Sequence, residues 1–578
     1  MIRKIGMLLL VLMMSGCQIK KQSENLFLIG QAQGKNGEIK VEAYIREGRL
    51  EHIEILNHSE TPGFDKAMVD IIDQVVFRQT LDVDLVAGAT ESSQGVLAAI
   101  KDALRNHDNL LEKNKPLETT DKTADILIIG GGGAGFAAAI EAASLGFKKI
   151  QVIEKMPFGG GNTRMSGGEF AVAQNNLQQA QGIQDSNELF FNDVYEGGGC
   201  LGKKELIRLI VEHAKENYLW LKDFIHVEYK DTLSWYGGHS VARTLWPKGD
   251  GSLMIDLMIQ KALSMGVEVD YNTRAYEFIQ EAGKVVGVKA LYNNETVNYY
   301  GTSGVILTTG GFGANVEMRM KYDTEWGKLD DLIPTTNSPA ATGDGIVMAE
   351  AIGANLVDMQ YIQLYPINNP ATGNYYYMDY ARIISNAILV NEEGNRFVDE
   401  KETRDNIAKA ILSQTNSTAY EVVALNVIEE LKLDQDYADE LYRGIDQGVI
   451  VIGTLEECAN HFNISYSQLE KTLRRFNQMV EDGNDLDFGR TQMLQTIDDD
   501  QYMMFSSIVS VHHTMGGVEI NEKAEVLNME GKVIEGLYAA GEVTGGIHGN
   551  NRLGTLSIPD TITFGRIAAQ SCYNKKYR

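Results

Sequence analysis

A glycine-rich turn between two apolar segments constrains the fold of this chain more than any other feature. Gly130, Gly132 and Gly135 form a GxGxxG pattern that completes the apolar run DILIIG and opens an alanine-rich segment. A second apolar run, KIQVIEK, carries Glu154 near its end, about 20 positions after the last glycine. This order of strand, turn, helix, strand and acid predicts a dinucleotide-binding βαβ unit with a buried parallel sheet.

Each residue of the pattern has a separate expected task. Gly130 permits the tight turn, Gly132 lets the backbone approach a pyrophosphate, and Gly135 lets the helix pack closely on the strand. The N-terminus of the helix then faces the phosphates. Glu154 is expected to accept hydrogen bonds from a ribose hydroxyl.

Later segments favour FAD over NAD as the dinucleotide. The run GGGNTRMSGGEFAV, residues 159–172, offers flexible backbone to a long cofactor. Two further apolar runs, VILTTGGFG (305–313) and GLYAAGEVTGG (536–546), each read as a strand that ends in glycine. Glycine makes up 58 of the 578 residues, against a usual ~7%, which agrees with close approaches of backbone to ligands.

Motifs from about residue 124 to 570 resemble those of the fumarate reductase and succinate dehydrogenase flavoproteins, and especially of the soluble flavocytochrome c branch. They are ATGDG, GNRFVDE, TRDNIAKAI, HHTMGG and GGIHGNNRLG. The resemblance implies non-covalent FAD, with Glu542 near its ribityl and ribose groups. Besides Glu154 and the three glycines of the turn, the predicted FAD-binding residues are Asn162, Thr163, Gly168, Gly310, Asp344 and Glu542.

A separate small module precedes this region. The run KVEAYIREGRLEHIEI predicts a β-hairpin, an apolar-periodic helix is expected over 65–77, and DVDLVAGATESSQGVLAAIKDAL predicts a strand, a turn and a helix over about 94–105. DLVAGATES resembles the flavinylation motif, which implies covalent FMN on Ser92, with Thr90 as the second choice. The alternative is a Gly-Ala-Thr turn that only caps the helix.

Covalent FMN would serve as the electron inlet in place of haem. The partners it implies are a flavin transferase and an external electron donor such as a quinol dehydrogenase or a cytochrome. The net charge of −27 argues against nucleic acid as a partner.

The N-terminus predicts export. MIRK is positively charged, IGMLLLVLMM is an apolar run, and SGC supplies small residues before Cys17. The arrangement resembles a lipoprotein signal, so we expect lipidation at Cys17 and anchoring at the outer face of the cytoplasmic membrane. A plain N-terminal membrane anchor is the alternative. The remaining cysteines, Cys200, Cys458 and Cys572, form neither a disulfide framework nor a metal motif, and no metal is predicted.

The family resemblance also carries over the catalytic residues. Arg404, in ETRD, matches the arginine that protonates the substrate. His512, the first histidine of HHTMGG, and Arg552, in NNRLG, match the pair that holds a carboxylate, for which an arginine fork is well suited. The implied reaction is hydride transfer from FAD N5 to the β-carbon of a 2-enoate and proton transfer from Arg404 to the α-carbon.

The other end of the expected substrate site departs from the dicarboxylate reductases. Tyr365, in QLYP, replaces a histidine, Asp379 stands near the position of a glutamate, and Glu169 replaces a neutral residue. Two carboxylates and a phenol would repel a second carboxylate and would suit a ring with N–H donors. The run NRLGTLSIPD also departs from the Gly-Asn-Ala pattern that follows Arg552 in the fumarate enzymes.

These differences resemble the members of the family that reduce urocanate (imidazole acrylate) to dihydrourocanate, with Glu169, Tyr365 and Asp379 around the imidazole. A reductase of fumarate or another 2-enoate is the first alternative. An FAD-dependent oxidase or dehydrogenase and a non-enzymatic electron carrier are further alternatives.

The predicted architecture is α/β: a Rossmann-like FAD-binding domain with an inserted α+β capping domain, preceded by a small α+β FMN-binding domain. We expect closure of the capping domain on the FAD-binding domain to assemble the site and exclude water. The predicted segments are 1–17 (signal), 28–107 (FMN-binding domain), 108–123 (linker), 124–359 and 507–578 (FAD-binding domain), and 360–506 (capping domain).

Overall fold

A computed structural model provides the structure of the chain. It describes residues 26–35, 37–46, 49–58, 68, 71–72, 75–76, 80–81, 83, 90–105, 120–292, 295–327, 329–492 and 495–577. The predicted signal with Cys17, most of the predicted helix over 65–77 and nearly all of the predicted linker lie outside the described residues. The chain divides into two compact units, with the division between Thr119 and Thr120.

The first unit is an antiparallel sheet with a helix packed on one face. Its elements are β1 (Leu26–Gln33), β2 (Glu38–Arg46), β3 (Arg49–Asn57) and α1 (Thr90–Leu104). Alternate residues of β2 are buried, as the predicted hairpin requires, and they share a core with the apolar face of α1. A Cβ at Gly30 would lie 2.2 Å from the Ala103 nitrogen, so glycine lets the helix lie directly on β1. The helix begins at Thr90, four residues before the predicted start.

The second unit carries the remaining elements. From the N-terminal side these are β4 (Thr120–Ile129), α2 (Gly133–Ser144), β5 (Ile150–Ile153), α3 (Gly161–Met165), β6 (Phe170–Ala171), α4 (Asn176–Ala180), α5 (Asn187–Gly197), α6 (Lys204–Leu219), a π-helical turn (Trp220–Phe224), β7 (Tyr229–Ser234), β8 (Thr244–Pro247), α7 (Asp250–Ser264), β9 (Glu268–Asp270), β10 (Thr273–Glu281), β11 (Lys284–Tyr292), β12 (Glu295–Leu307), α8 (Val316–Tyr322), α9 (Asp344–Ala351) and β13 (Leu356–Val357).

The chain continues with β14 (Ile362–Asn368), α10 (Tyr380–Ile384), β15 (Ile388–Val390), α11 (Arg404–Leu412), a 3₁₀ turn (Thr415–Ser417), β16 (Ala419–Ala424), α12 (Leu425–Glu430), α13 (Leu433–Asp436), α14 (Ala438–Asp446), β17 (Ile450–Gly453), α15 (Leu455–His461), α16 (Tyr466–Glu481), β18 (Tyr502–Thr514), β19 (Gly517–Glu519), β20 (Glu525–Leu527), β21 (Val533–Ala539), β22 (Thr544–Gly545) and α17 (Ser557–Tyr577).

A parallel sheet forms the centre of the second unit. Strands β21, β12, β4, β5 and β9 lie side by side in that order, all parallel, and the antiparallel pair β10–β11 extends the sheet beyond β12. Strand β4 begins at Thr120, four residues before the predicted start of this domain, because its first half pairs with β12. Helices α2 and α17 pack against each other beside this sheet.

The region between 360 and 506 forms a second sheet with its own core. Strands β14, β18, β16 and β15 are neighbours in that order, and β17 also pairs with β18. Helices α15 and α16 cover this sheet. The predicted domain boundary at 506/507 falls inside β18, which runs unbroken from this sheet to His512 and His513. An apolar strand that continues through a domain junction gives no change of composition at the boundary.

The predicted α/β class is confirmed: a unit built around a parallel sheet is preceded by a small unit of an antiparallel sheet and a helix. Among the residues that the structure describes, no helix is both long and apolar enough to cross a membrane.

Candidate active site

An elongated cavity of about 1210 Å³ lies at the carboxyl ends of the parallel strands. Such crevices are where ligands bind in open α/β sheets. Most of the predicted FAD-binding residues lie in its wall: Gly130, Gly132, Glu154, Asn162, Thr163, Gly310, Asp344 and Glu542.

The glycine turn fits a bound dinucleotide. Gly130 has φ +107°, and a Cβ there would lie 2.4 Å from the Thr308 carbonyl oxygen. A Cβ at Gly132 would meet no described protein atom within 4 Å, so this backbone faces open space. The helix that begins at Gly133 has no side-chain cap, which leaves its first N–H groups for a phosphate.

Two carboxylates in the wall of the cavity, those of Glu154 and Glu542, accept hydrogen bonds from described residues. Glu154 accepts hydrogen bonds from the N–H groups of Gly131 and Met156 at 2.7 and 2.8 Å, so it also holds the turn in place. Glu542 accepts from the Asn162 amide at 2.8 Å and from a backbone N–H at 3.0 Å. Burial raises the pKa of both carboxyls above its ordinary value, and their hydrogen bonds oppose that rise.

Two predicted cofactor-binding glycines do not line this cavity. A Cβ at Gly135 would lie 2.1 Å from the Gly130 carbonyl oxygen, which supports the predicted packing task. Gly168 has φ +73°, and a Cβ there would lie 2.9 Å from the Gly251 nitrogen. This glycine lets its loop cross the start of α7, and its contact with FAD stays a prediction.

A second cavity, of about 520 Å³, adjoins the first. Its wall includes Tyr236, Tyr365 and Arg404, while Arg552 lines both cavities and His512 lines the first. The predicted carboxylate-binding residues thus lie where the two cavities meet. A substrate bound there would lie next to the cofactor cavity.

Two arginines in this region each have a buried nitrogen without a hydrogen-bond acceptor. Nη1 of Arg404 and Nε of Arg552 are buried and have no acceptor among the described residues. Burial, and then the nearby Arg404, lowers the pKa of Arg552 to about 9. Two cations in a low dielectric repel each other, and a carboxylate between them would satisfy both free N–H groups. The arrangement therefore fits an anionic ligand.

His512 is a neutral neighbour of this pair. Burial, followed by the charges of Arg404 and Arg552, lowers its pKa well below the ordinary value. Its Nδ1 lies 2.8 Å from the Thr336 hydroxyl oxygen, and its ring centroid lies 4.9 Å from that of Tyr365. A neutral imidazole can still donate one hydrogen bond to a carboxylate.

Asp379 lies beside the second cavity and does not line it. Its side chain is fully buried and forms a bidentate ion pair with Arg382, at 2.6 and 2.8 Å. The Tyr365 hydroxyl donates to it at 3.2 Å, and the Arg404 guanidinium carbon lies 4.9 Å from the Tyr365 ring centroid. Tyr365 therefore separates this carboxylate from the guanidinium of Arg404, and the contact of Asp379 with substrate stays a prediction.

Glu169 accepts hydrogen bonds from two tyrosine hydroxyls. The hydroxyls of Tyr236 and Tyr380 donate to its Oε1 at 3.1 and 2.9 Å, and no described residue donates to Oε2. A Cβ at Gly167 would lie 2.4 Å from the same Oε1, so glycine is needed beside it. Because Tyr236 lines the second cavity, Glu169 lies one side chain away from the arginines and keeps a free oxygen.

The tyrosine-rich run 375–380 mixes core and site residues. Tyr376 packs on Phe505 in the core, and Tyr377 stacks on Tyr437 with centroids 4.5 Å apart. The ring centroid of Tyr375 lies 5.6 Å from that of Tyr365, and the Tyr375 hydroxyl donates a hydrogen bond to the Met165 carbonyl at 2.6 Å.

The loop after Arg552 contains a strained residue. Thr555 has φ +68°, which is unfavourable for a β-branched side chain. Its hydroxyl lies 3.1 Å from that of Thr244, and its carbonyl accepts from the Ala171 N–H at 3.4 Å. The segment that departs from the Gly-Asn-Ala pattern therefore hydrogen-bonds the Arg552 loop to β6, the strand that follows Glu169.

Comparison with known proteins agrees with this geometry. The FAD binding domain family matches residues 125–558, and the FMN-binding domain family matches residues 34–105. The chain is 39% identical over 555 residues to a urocanate reductase of Eggerthella lenta, covering 93% of this chain and 91% of that one. This chain belongs to the fumarate reductase family of flavoproteins.

Two further relatives support that assignment. A fumarate reductase (cytochrome) of Shewanella frigidimarina is 38% identical over 465 residues, covering 78% of each chain. The open conformation of a flavocytochrome c3 fumarate reductase is 30% identical with a TM-score of 0.64, covering 86% of this chain and 85% of that one. The chain is an FAD-dependent reductase of the group that acts on the C=C bonds of enoates, and FAD and FMN are its cofactors.

Three site residues had no signal in the sequence. Tyr236 lies in a loop far along the chain from its partners Glu169 and Arg404. Gln363 accepts from Arg552 at 3.2 Å and donates to the Arg552 carbonyl at 2.7 Å, which fixes that arginine. The Thr336 hydroxyl, on a separate loop, forms a hydrogen bond with Nδ1 of His512.

Two glycine substitutions separate cofactor binding from folding. Gly132→Ala adds a methyl group that meets no protein atom, so the apoprotein should unfold at the wild-type temperature while its FAD content falls. Gly135→Ala forces a methyl group into the Gly130 carbonyl and should destabilise the apoprotein by ~1–3 kcal/mol or more. Thermal unfolding and the ratio of flavin to protein after gel filtration measure both effects. Full FAD content in Gly132→Ala would contradict the assignment of the turn.

Proposed function

We propose that this protein reduces the C=C bond of urocanate to dihydrourocanate. The observation that carries the proposal is the opposite polarity of the two ends of the site. Arg404 and Arg552 carry free N–H groups and line the second cavity, and Glu169, which accepts from the Tyr236 hydroxyl of the same cavity wall, has one carboxylate oxygen that accepts from no described residue. Urocanate has a carboxylate at one end and an imidazole N–H at the other, so its charges and donors match this order.

The relatives support this choice of substrate class. A urocanate reductase is 39% identical over nearly the whole chain, and a fumarate reductase is 38% identical over 78% of it. Reduction of fumarate or another 2-enoate is the alternative. A second carboxylate at the Glu169 end would meet a like charge, which disfavours a dicarboxylate there.

The residues of the site have separate tasks in the proposed reaction. When bound, FAD supplies the hydride that reaches the β-carbon. Arg552 and His512 hold the carboxylate and thereby orient the double bond, and Arg404 gives a proton to the α-carbon. Arg552 is buried and Arg404 and His512 are half-buried, which limits the water that would compete for these hydrogen bonds.

Electrons are proposed to enter through FMN bound covalently to Ser92. This serine lies in the first turn of α1, where the helix dipole stabilises a phosphate. The match to the FMN-binding domain family supports FMN in this unit. An external donor and a flavin transferase are the proposed partners. The N-terminal sequence supports export and a lipid anchor at Cys17.

The covalent modifications can be measured together. Protein purified from membranes of cells that supply a flavin transferase should have an intact mass that includes one FMN ester and a lipid on Cys17. Ser92→Ala should lose the FMN mass alone, and Cys17→Ala should lose the lipid and leave the membrane fraction. FMN retained in Ser92→Ala but lost in Thr90→Ala would move the attachment to Thr90.

Arg404→Lys tests the proton donor. Lysine keeps the positive charge but not the reach or planar geometry of the guanidinium. We expect kcat to fall by on the order of 100-fold or more, the lower end of the effect of a general acid, with FAD content unchanged. A reduced viologen dye as electron donor allows the assay. A raised KM with unchanged kcat would show that Arg404 only binds substrate.

Glu169→Gln tests the substrate. The amide keeps the shape but not the charge, and loss of a buried charged partner typically costs ~2–5 kcal/mol. The kcat/KM for urocanate should therefore fall more than about tenfold, while that for cinnamate, which has no ring N–H, should not fall. Glu228→Gln, an exposed carboxylate paired with Lys248, is the matched control. Equal turnover of fumarate and urocanate by the wild-type protein would reject the imidazole assignment.

A further inference from the structure

His239 is a buried imidazole that the proposed reaction does not use. It is 3% exposed and lies in the loop between β7 and β8. Its Nδ1 lies 2.9 Å from Nη1 of Arg243, and its Nε2 lies 3.0 Å from the carbonyl oxygen of Gly554. An arginine only donates hydrogen bonds and a carbonyl oxygen only accepts them, so the imidazole is neutral with its proton on Nε2. One ring therefore joins Arg243 to the loop that carries Arg552.

Arg243 holds this ring in one orientation. Its guanidinium is fully buried and forms a bidentate ion pair with Asp185, with both N···O distances 3.0 Å. It also donates to Asp193, which lies on α5. Burial, and then the charge of Arg243, lowers the pKa of His239 to about 4, so the ring stays neutral at pH 7. The opposite tautomer would place an N–H against the guanidinium and would leave the carbonyl of Gly554 without this donor.

The loop of this histidine passes between the segments that carry the two arginines of the site. A Cβ at Gly237 would lie 2.4 Å from the backbone carbonyl oxygen two residues before Arg404. A Cβ at Gly238 would lie 2.4 Å from the side chain of Leu553, which follows Arg552. Neither glycine has room for a side chain, so the loop fills the space between the two segments and contributes to their separation.

The same turn carries Tyr236. The His239 N–H donates to the Tyr236 carbonyl at 3.1 Å, and the Tyr236 hydroxyl donates to Glu169 at 3.1 Å. A Cβ at Gly554 would lie 2.9 Å from the Tyr236 ring, so this ring packs on the backbone of the Arg552 loop. The bond from the imidazole to Gly554 therefore joins the turn beside Glu169 to the loop of Arg552.

The backbone of the turn is held by bonds that do not involve the imidazole. The indole N–H of Trp235 donates to the His239 carbonyl at 2.6 Å. The N–H and the hydroxyl of Ser240 both donate to Asp193. Removal of the imidazole should therefore leave the turn in place and release the loop of Arg552 from it.

We propose that His239 is a positioning residue that sets the separation of Arg552 from Arg404. Its hydrogen bond to Gly554 holds the Arg552 loop against the turn, and the buried ion pairs of Arg243 hold the imidazole. Because Arg404 is positioned separately, at the start of α11, loss of this bond should raise KM more than it lowers kcat. This inference rests on the proposed role of Arg552 in holding the substrate carboxylate, but not on which enoate is reduced.

Two amides of different length test the bond to Gly554. In His239→Asn the amide oxygen can still accept from Arg243, but the side chain is too short to reach Gly554. In His239→Gln the amide N–H reaches the position of Nε2. The FAD- and FMN-loaded variants are assayed with a reduced viologen dye and the enoate that the wild type reduces fastest. KM should rise about tenfold in His239→Asn, because the Arg552 loop loses a buried hydrogen bond, and should lie within about twofold of the wild-type value in His239→Gln. FAD content should not change.

Two further variants make the result specific. His213 also bonds a backbone carbonyl, that of Leu209 at 2.8 Å, but within helix α6, so His213→Asn is the matched control and should keep the wild-type KM. In protein that already carries Arg552→Lys, His239→Asn should raise KM by much less than it does alone, because both changes act on the same contact with substrate. His239→Leu, which fills the space but lacks the bond, replaces the Asn variant if that one does not fold.

The outcomes separate this inference from the proposed function. A wild-type KM in folded His239→Asn, with a raised KM in Arg552→Lys, would overturn the positioning role alone. An equal effect of His239→Asn with and without Arg552→Lys would also overturn it, because the histidine would then act by another route. A wild-type KM in Arg552→Lys would reject the proposed carboxylate contact and this inference with it. Failure to reduce urocanate would reject neither.

Discussion

The site depends on two guanidinium groups, of Arg404 and Arg552, each with a buried nitrogen that has no acceptor among the described residues. Arg404 begins helix α11 on one sheet region, and Arg552 lies in the loop before α17 on the other. Burial, and then the charge of Arg404, lowers the pKa of Arg552, so the two cations are unfavourable together in the absence of a ligand. A carboxylate bound between them would reduce this cost.

The cofactor turn was predictable because its signals are local. Gly130 needs a positive φ, Gly132 leaves open space beside the backbone, and Glu154 follows at a fixed spacing, so the pattern is visible in one stretch of sequence. The ion-pair partner of Asp379 was not predicted, because Arg382 lies three positions later on a helix of only five residues. Tyr236 could not have been found, because only the tertiary fold brings its loop beside Glu169.

The strained Thr555 connects the Arg552 loop to the strands near Glu169. A left-handed conformation at a β-branched residue costs on the order of 1–3 kcal/mol. The residue persists because its hydroxyl and carbonyl join the Arg552 loop to the strands β6 and β8. In the proposed binding of urocanate, the distance between the arginines and Glu169 would set the length of substrate that can be held at both ends, so a fixed connection between the two loops would favour one length over others.

The buried ion pairs outside the site contribute more to the positioning of Arg404 than to the stability of the fold. A buried ion pair often contributes little net stability, because desolvation offsets the attraction. Arg396, Glu400, Asp485 and Arg490 nevertheless form a closed set of bonds. Glu400 lies four residues before Arg404, so these bonds fix the segment that leads into α11. A helix start held by directional bonds positions the guanidinium of Arg404 more accurately than apolar packing would. The proposed proton transfer requires such accuracy, because proton transfer depends steeply on distance and angle.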